Sequence, residues 1–258
     1  MKIALIKISG KALNQLFEST KWIQSFKKLM NLYDGLIIVH GAGNTISNWT
    51  KALGYESTFV NGQRVTSKEI MDVVVAVQSG VLNTKIVSSL VSNKFNSIGL
   101  SGIDRATFVA EPFDAELGFV GIPKLIGDVT WITDFIKSKT IPVFSSVCRD
   151  SEGNLMNVNA DIFAEVLASS IKVETVYFIS DVDGVKLNGS YKSNINKDEI
   201  LLGISNGEIT DGMIPKMRSC LELLNKGISK IWIGSKIQEV NFNEYGFNSG
   251  GTWILQSA

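Results

Sequence analysis

Histidine is almost missing from this chain: among 258 residues there is one, His40. That scarcity removes most zinc, haem and Ser-His-Asp chemistry at once, because each needs imidazole as ligand or base. Cysteine is nearly as rare. Cys148 and Cys220 are too few for a disulfide framework or a thiol metal site, and a reducing, cytoplasmic setting is the expectation. Net charge is lacking too. With 25 Lys+Arg against 25 Asp+Glu the formal charge is zero, so composition gives no reason to expect a nucleic-acid partner. No uninterrupted apolar run approaches the roughly 20 residues that cross a bilayer, and no membrane partner is expected. The start, Met1 to Lys7, puts a second lysine where a signal peptide needs its apolar region, so it does not read as one.

What is there is a chain 45% hydrophobic and only 19% charged, enough for the core of one large α/β unit or two lobes. Short β-rich runs alternate with longer amphipathic stretches, which predicts a largely parallel sheet. Strands are expected at 3–8, 36–39, 97–100, 141–145, 175–180, 228–233 and 251–255. Thr66-Ser67-Lys68-Glu69 has the form of a capping box and opens a helix towards about Val91. Further helices are expected at 159–170 and 212–225, the second with Gly227 as its stop. Residues 187–196, rich in Asn, Ser and Gly, read as an exposed loop. A lobe boundary is placed at 171–174, dividing residues 1–172 from 173–258.

Three strand ends stop in small residues: Ile8-Ser9-Gly10, Val39-His40-Gly41-Ala42-Gly43 and Leu100-Ser101-Gly102. Glycines at the carboxyl ends of strands let the backbone approach an anion and offer it N–H groups. Plain turns give the same pattern. Gly41 to Ile46 lacks the third glycine of a dinucleotide fingerprint, and no phosphate-binding Gly-x-x-x-x-Gly-Lys-Ser/Thr loop occurs. Two lysines say more. Lys7 lies among Leu5, Ile6 and Ile8, where it is either an edge residue facing water or a functional cation, since an unpaired buried lysine is costly. Lys216 follows Pro215 near a helix start, where the helix dipole favours anions; a bound phosphate would explain it.

With these residues in view the chain resembles the amino acid kinase family. The matching segments are Lys7-Ile8-Ser9-Gly10, Val39 to Gly43, Val60-Asn61-Gly62-Gln63-Arg64-Val65-Thr66, Gly118 to Gly121 and Gly153 to Asp161. Ser180-Asp181-Val182-Asp183-Gly184-Val185 and Ile209-Thr210-Asp211-Gly212-Met213-Ile214-Pro215-Lys216 follow in order. Asn157-Val158-Asn159-Ala160-Asp161 and Gly212 to Lys216 are the most specific pieces. The resemblance implies a three-layer αβα sandwich with a mainly parallel central sheet. It also implies ATP-dependent phosphorylation of the side-chain carboxylate of N-acetyl-L-glutamate, the second step of arginine synthesis. An N-lobe for the amino acid and a C-lobe for ATP would divide the work, with Mg2+ on the ATP phosphates and no metal ligands from the protein.

Residue by residue, the resemblance puts Lys7 and Lys216 on the transferring phosphoryl group and Asp161 between them. Gly10, Ala42 and Gly43 would offer backbone N–H groups to phosphate or substrate oxygens. Arg64 would grip a substrate carboxylate, and Asn157 the substrate's α-substituents. Asp181, Gly184, Val185, Thr210, Gly212, Met213 and Lys216 would line the nucleotide site. Two departures stand out: the family usually has glycine where this chain has Ser9 and Ala42. Alanine keeps the N–H but resists positive φ.

The chemistry suits a chain with one histidine. A carboxylate is already ionised at neutral pH, so no general base is needed. His40 therefore reads as structural, both cysteines as buried or incidental, the five tryptophans as core or rim, and Lys21 to Lys28 as a solvated helix face. Alternatives are a kinase for N-succinylglutamate or carrier-bound aminoadipate, and a nucleotide-binding sensor without catalysis. A homodimer is expected, with Val73, Val77, Val81 and Leu82 as its apolar face. Arginine inhibition is not expected, because arginine-inhibited relatives carry a helix ahead of the first strand and here that strand begins at Lys2.

Overall fold

The computed structural model describes residues 1–13, 21–60, 62–210, 213–235 and 250–256. Of the predicted site residues, Gly212 lies outside them, as do Asn61 and Asp211 of the quoted motifs. In chain order the strands are β1 (Ile3–Ile8), β2 (Gly35–His40), β3 (Ser97–Ser101), β4 (Phe108–Pro112), β5 (Val120–Leu125) and β6 (Ile141–Ser145). They continue as β7 (Val147–Arg149), β8 (Leu155–Val158), β9 (Thr175–Ile179), β10 (Asn194–Asn196), β11 (Lys230–Gly234) and β12 (Gly251–Leu255). The helices are α1 (Lys21–Leu32), α2 (Asn44–Ala52), α3 (Lys68–Ser92), α4 (Thr130–Lys137), α5 (Ala160–Ile171), α6 (Lys197–Ser205) and α7 (Ile214–Asn225). Two short hairpins, Phe59–Val60 with Gln63–Arg64 and Lys186–Leu187 with Ser190–Tyr191, stand apart from the main sheets.

The central sheet has the order β10-β12-β11-β9-β1-β2-β6-β3. Its neighbours pair in parallel, except β11 with β12. Every residue of β1 and of β2 is buried, the mark of a parallel sheet covered on both faces. Alternation sorts their side chains. Leu5, Ile37 and Val39 meet Ile136 of α4, Phe163 of α5 and Met217 of α7. Ala4, Ile6 and Ile38 meet Phe26 of α1 and Val74 of α3 on the opposite face. The result is the expected αβα sandwich. A smaller sheet, β4-β5-β8-β7, carries Asn157 in β8.

β1 is the strand that positions the site. The chain crosses from it to β2 on one side, while β9 pairs on the other. Strand order reverses there, and the crevice outside the carboxyl ends of β1, β2 and β9 is where ligands bind in such sheets.

Four local expectations are corrected. Residues 187–196 are not simply an exposed loop: they hold a short hairpin and β10, and Leu187 and Ile195 enter the core. The helix cap of α3 is Ser67, which accepts from the Ile70 N–H at 3.4 Å, rather than Thr66; Thr66 is buried and donates to the Arg64 carbonyl. The strand expected at 228–233 runs from Lys230 to Gly234. Of the expected dimer face, Val73, Val77 and Leu82 are at most 6% exposed and pack in this chain's own core, while Val81 is half-buried. α3 has the length and hydropathy of a membrane span, yet half of its most apolar window is buried inside the protein. Trp22, Trp232 and Trp253 are buried and Trp49 is exposed, as core and rim residues should be.

After β3 the backbone at Arg105 and Ala106 has φ of 54° and 50°. Such left-handed conformations cost a residue with a Cβ about 1–2 kcal/mol, offset in glycine by a floppier unfolded chain. Ala106 is exposed, so its replacement removes no packing. Ala106→Gly is expected to stabilise the fold by about 0.5–1 kcal/mol, read from the urea midpoint at constant m-value. A lower midpoint would contradict it.

Candidate active site

Lys7 shares a face of β1 with Leu5, and at that face the amino ends of α5 and α7 arrive. Asn159 caps α5, its side-chain carbonyl accepting from the Asp161 N–H at 2.8 Å, which sets Asp161 in the first turn. Pro215 in the first turn of α7 starts that helix and brings Lys216 to the same place. The Lys7 ammonium lies 2.6 Å from Asp161 Oδ1. Lys216 Nζ donates to Oδ1 and Oδ2 at 3.2 and 3.1 Å. Lys216 also sits 5.4 Å from the centre of the Phe178 ring. One carboxylate thus holds two buried cations.

Burial and the charge of Lys216 pull the Lys7 ammonium down to about 8, against the opposing pull of Asp161 and Asp181. Burial works to raise the Asp161 carboxyl, but the two ammonium groups overcome it and hold it well below the usual carboxylate range. Lys7 and Asp161 therefore both stay charged at neutral pH.

The glycine loop after β2 presses against the start of the helix that follows β1. A Cβ on Gly10 would lie 2.0 Å from the Gly43 nitrogen, and one on Gly43 2.9 Å from the Gly10 carbonyl carbon. Only Gly43 in the loop has positive φ, at 49°. Ala42 therefore fits without strain where the family usually has glycine. Ser9 replaces the other expected glycine usefully, since its hydroxyl accepts from the Ala12 N–H at 3.2 Å and caps that helix. The Gly41 N–H is used by the Ile8 carbonyl; those of Ala42 and Gly43 make no hydrogen bond among the described residues.

These backbones border a cavity of about 330 Å³. Lys7, Gly10, Ala42, Gly43, Arg64, Asn157 and Asp161 all line it. Arg64 is only 9% exposed. Its guanidinium donates to Ser57 Oγ at 2.9 Å and Ser47 Oγ at 2.7 Å, and stacks 4.6 Å from the Phe59 ring centre. No carboxylate pairs with it among the described residues. A buried, unpaired guanidinium in a cavity wall is a place for an anion. Asn157 is fixed by its Nδ2, which donates to Thr66 Oγ1 at 3.1 Å.

Of the residues expected on the nucleotide side, Gly10 lines this cavity; Asp181, Gly184 and Val185 follow β9, and Thr210 and Met213 precede α7. Asp181 follows β9 and accepts from Lys11 Nζ at 2.8 Å. Val185 is buried; its N–H donates to Thr252 Oγ1 at 2.8 Å and its carbonyl accepts from the Lys192 N–H. Thr210 is exposed and its carbonyl accepts from the Met213 N–H at 2.8 Å, turning the chain into α7.

His40 is structural, as expected. It is fully buried, bonded to Asn83 Nδ2, and burial drives its imidazole down to about 4, so it is neutral at pH 7. Both cysteines are buried and free. Sequence reasoning missed Ser47 and Ser57, which seat Arg64, and Gln78 and Ser146, which line the cavity. Only a lone Gln inside a valine-rich helix signalled any of them.

The sequence profile of the Amino acid kinase family matches residues 2–235. An acetylglutamate kinase of Geobacillus sp. (strain WCH70) is 33% identical over 235 residues, covering 91% of this chain and 90% of its own. One from Endomicrobium trichonymphae is 33% identical over 240 residues, covering 93% and 95%. Among solved structures, smu.665 from Streptococcus mutans UA159 superposes with a TM-score of 0.86 at 27% identity, covering 98% of each chain. Giardia carbamate kinase shares the fold at a TM-score of 0.70 and 14% identity, covering 99% of each chain.

Proposed function

Since the chain belongs to the amino acid kinase family, we propose that it is an acetylglutamate kinase, phosphorylating the side-chain carboxylate of N-acetyl-L-glutamate with ATP. The observation that carries this reading is the buried Lys7–Asp161–Lys216 unit beside a cavity lined by Arg64, which has no carboxylate partner among the described residues.

A carboxylate oxygen of the substrate attacks the γ-phosphorus of ATP. The bond from that phosphorus to the β–γ bridging oxygen breaks, and ADP leaves with its electron pair. The nucleophile arrives ionised, so no proton has to be removed. The difficulty is repulsion between anions: two unit charges about 4 Å apart oppose each other by roughly 4 kcal/mol at an effective dielectric near 20. Lys7 and Lys216 offset it from two sides, while Asp161 holds both ammonium groups in place and limits their mutual repulsion. The amides of Ala42 and Gly43 are free for substrate or phosphoryl oxygens, Arg64 for the α-carboxylate, and Asn157 for the substrate's amide end. In this reading residues 1–172 hold the amino acid. Residues 173–258 hold ATP, with Asp181, Gly184, Thr210 and Met213 around the nucleotide and Val185 supporting it from the core.

Among the described residues no group of three or more His, Cys, Asp or Glu comes together as a metal cage. Mg2+ on the nucleotide's own phosphates belongs to this reading and would neutralise phosphate charge. A cytoplasmic homodimer belongs to the same reading, with its contact outside the inward Val73–Leu82 face; light scattering tests it.

The deciding experiment couples ADP release to hydroxylamine capture of the acyl phosphate over N-acetyl- and N-succinylglutamate and acyl-aminoadipates. Turnover should be fastest with N-acetyl-L-glutamate. Preference for another acyl amino acid would move the substrate, and ATP binding without turnover on any would make the chain a sensor.

A further inference from the structure

α3 is α-helical over Lys68–Val75 and again over Asn83–Ser92, but the seven residues Ala76–Leu82 between them form a π-helix. Such a turn is rare and is found frequently at functional sites. Here it delivers Gln78, 3% exposed, to the cavity wall. Gln78 Nε2 donates to the His40 carbonyl at 3.2 Å, at the end of β2, and to Ser146 Oγ at 2.8 Å. The Ser146 hydroxyl donates onward to the Val158 carbonyl at 2.7 Å, at the end of β8. The next residue is Asn159, whose side chain caps Asp161 at 2.8 Å.

An unbroken line of hydrogen bonds and adjacent residues therefore joins the two halves of the reaction centre. At one end, His40 leads into the amides of Ala42 and Gly43, which make no hydrogen bond among the described residues. At the other, Asn159 fixes the carboxylate that holds Lys7 and Lys216. Gln78 and Ser146 are the middle of that line and face the same cavity. Packing alone gives no reason for a polar link there, because Val77 and Leu82 already supply the apolar contacts of this turn.

We propose that Gln78 and Ser146 are positioning residues for phosphoryl transfer, fixing the spacing between the Ala42–Gly43 amides and the Lys7–Asp161–Lys216 unit. The inference rests on the kinase reading. In-line transfer loses rate steeply when the groups on either side drift, by up to a hundredfold for about 1 Å. The main anchors of substrate and nucleotide in this reading, Arg64 and the residues beyond β9, are not members of this line, so ground-state affinity changes less than rate.

The test is steady-state acyl phosphate formation by the full chain with Gln78→Met, which keeps the volume, and Ser146→Ala, which removes one oxygen. Each should lower kcat about tenfold or more while both KM values stay within about twofold. In an Asp161→Asn background either change should cost less than about twofold more, because the group it positions is already gone. If Gln78→Met does not fold, Ser146→Ala alone decides. A kcat within about twofold of the unmodified chain, a loss confined to KM, or the same loss repeated in the Asp161→Asn background would overturn the inference. An unmodified chain that makes no acyl phosphate would instead overturn the kinase reading beneath it.

Discussion

Lys216→Ala should lower kcat by about 10²–10³-fold, the usual cost of removing one preorganised charge from a transition state. The effect belongs to kcat because the transferring phosphoryl oxygens carry the charge that Lys216 answers mainly during transfer. Asp161→Asn should also cost kcat, although it keeps the volume. It leaves Lys7 and Lys216 without the carboxylate that now accepts from both at 2.6 to 3.2 Å. The two ammonium groups then repel without an intervening anion, and their direction is lost. Because the three residues share one task, the double change should cost less in ΔΔG‡ than the sum of the single losses. Circular dichroism would first establish that each variant folds. Full additivity would separate Asp161 from the lysines, and a near-normal kcat in Lys216→Ala would remove the mechanism.

The same unit predicts a pH profile. Burial has already brought Lys7 down to about 8, with Lys216 acting in the same direction and Asp161 and Asp181 opposing. Its ammonium is the working form, so kcat/KM for ATP, which reports the free enzyme, should be flat near neutrality and fall above about pH 8. Asp161→Asn removes the main opposing charge. The fall should then begin at lower pH, making the variant's deficit larger at pH 8 than at pH 6.5. A limb that stays where it was would show that Lys7 is not the group being titrated.

Some of this centre was legible in the sequence because its residues break local rules. Lys7 interrupts an apolar strand, and Lys216 puts a cation at the wrong end of a helix dipole. Asp161 was legible only through the Asn157–Asp161 motif; that Asn159 caps its helix emerged from the structure. The strands of the central sheet were legible for the opposite reason, as continuous apolar runs bounded by small residues. What stayed hidden depends on contacts across the fold. The apolar stripe of α3 looks the same whether it meets a second copy or its own sheet, and the sheet proved to be the occupant. Leu187 and Ile195 lie in a segment whose composition marks a loop, yet pairing of β10 with β12 draws it into the core. The π-turn at Ala76–Leu82 leaves no pattern of its own, since it arises where Gln78 finds partners on β2 and Ser146. Nor did the sequence reveal that Ala42 would be unstrained, because that depended on Gly43 taking the positive φ.

Arg64→Lys is expected to raise KM for N-acetyl-L-glutamate by about 30- to 100-fold, with KM for ATP within about twofold and kcat little changed. A guanidinium has five N–H donors in a rigid fork; here one from each terminal nitrogen goes to Ser57 and Ser47, and Phe59 holds the plane. That seat leaves further donors, in fixed geometry, for a carboxylate. Lysine keeps the charge and loses the fork, so it gives one charge-assisted hydrogen bond where arginine gives two, a difference of about 2–3 kcal/mol. Arg64 stands on the hairpin after α2, apart from the Lys7–Asp161–Lys216 unit, so its contact with substrate is the same in the ground and transition states. Uniform binding of that kind appears in KM and not in kcat. Binding can be followed without turnover as well. N-acetyl-L-glutamate should raise the Tm of the unmodified chain and, at the same concentration, fail to raise that of Arg64→Lys, whereas ATP should raise both alike. Equal losses for the two ligands would mean that Arg64 supports the fold of the hairpin and does not bind substrate.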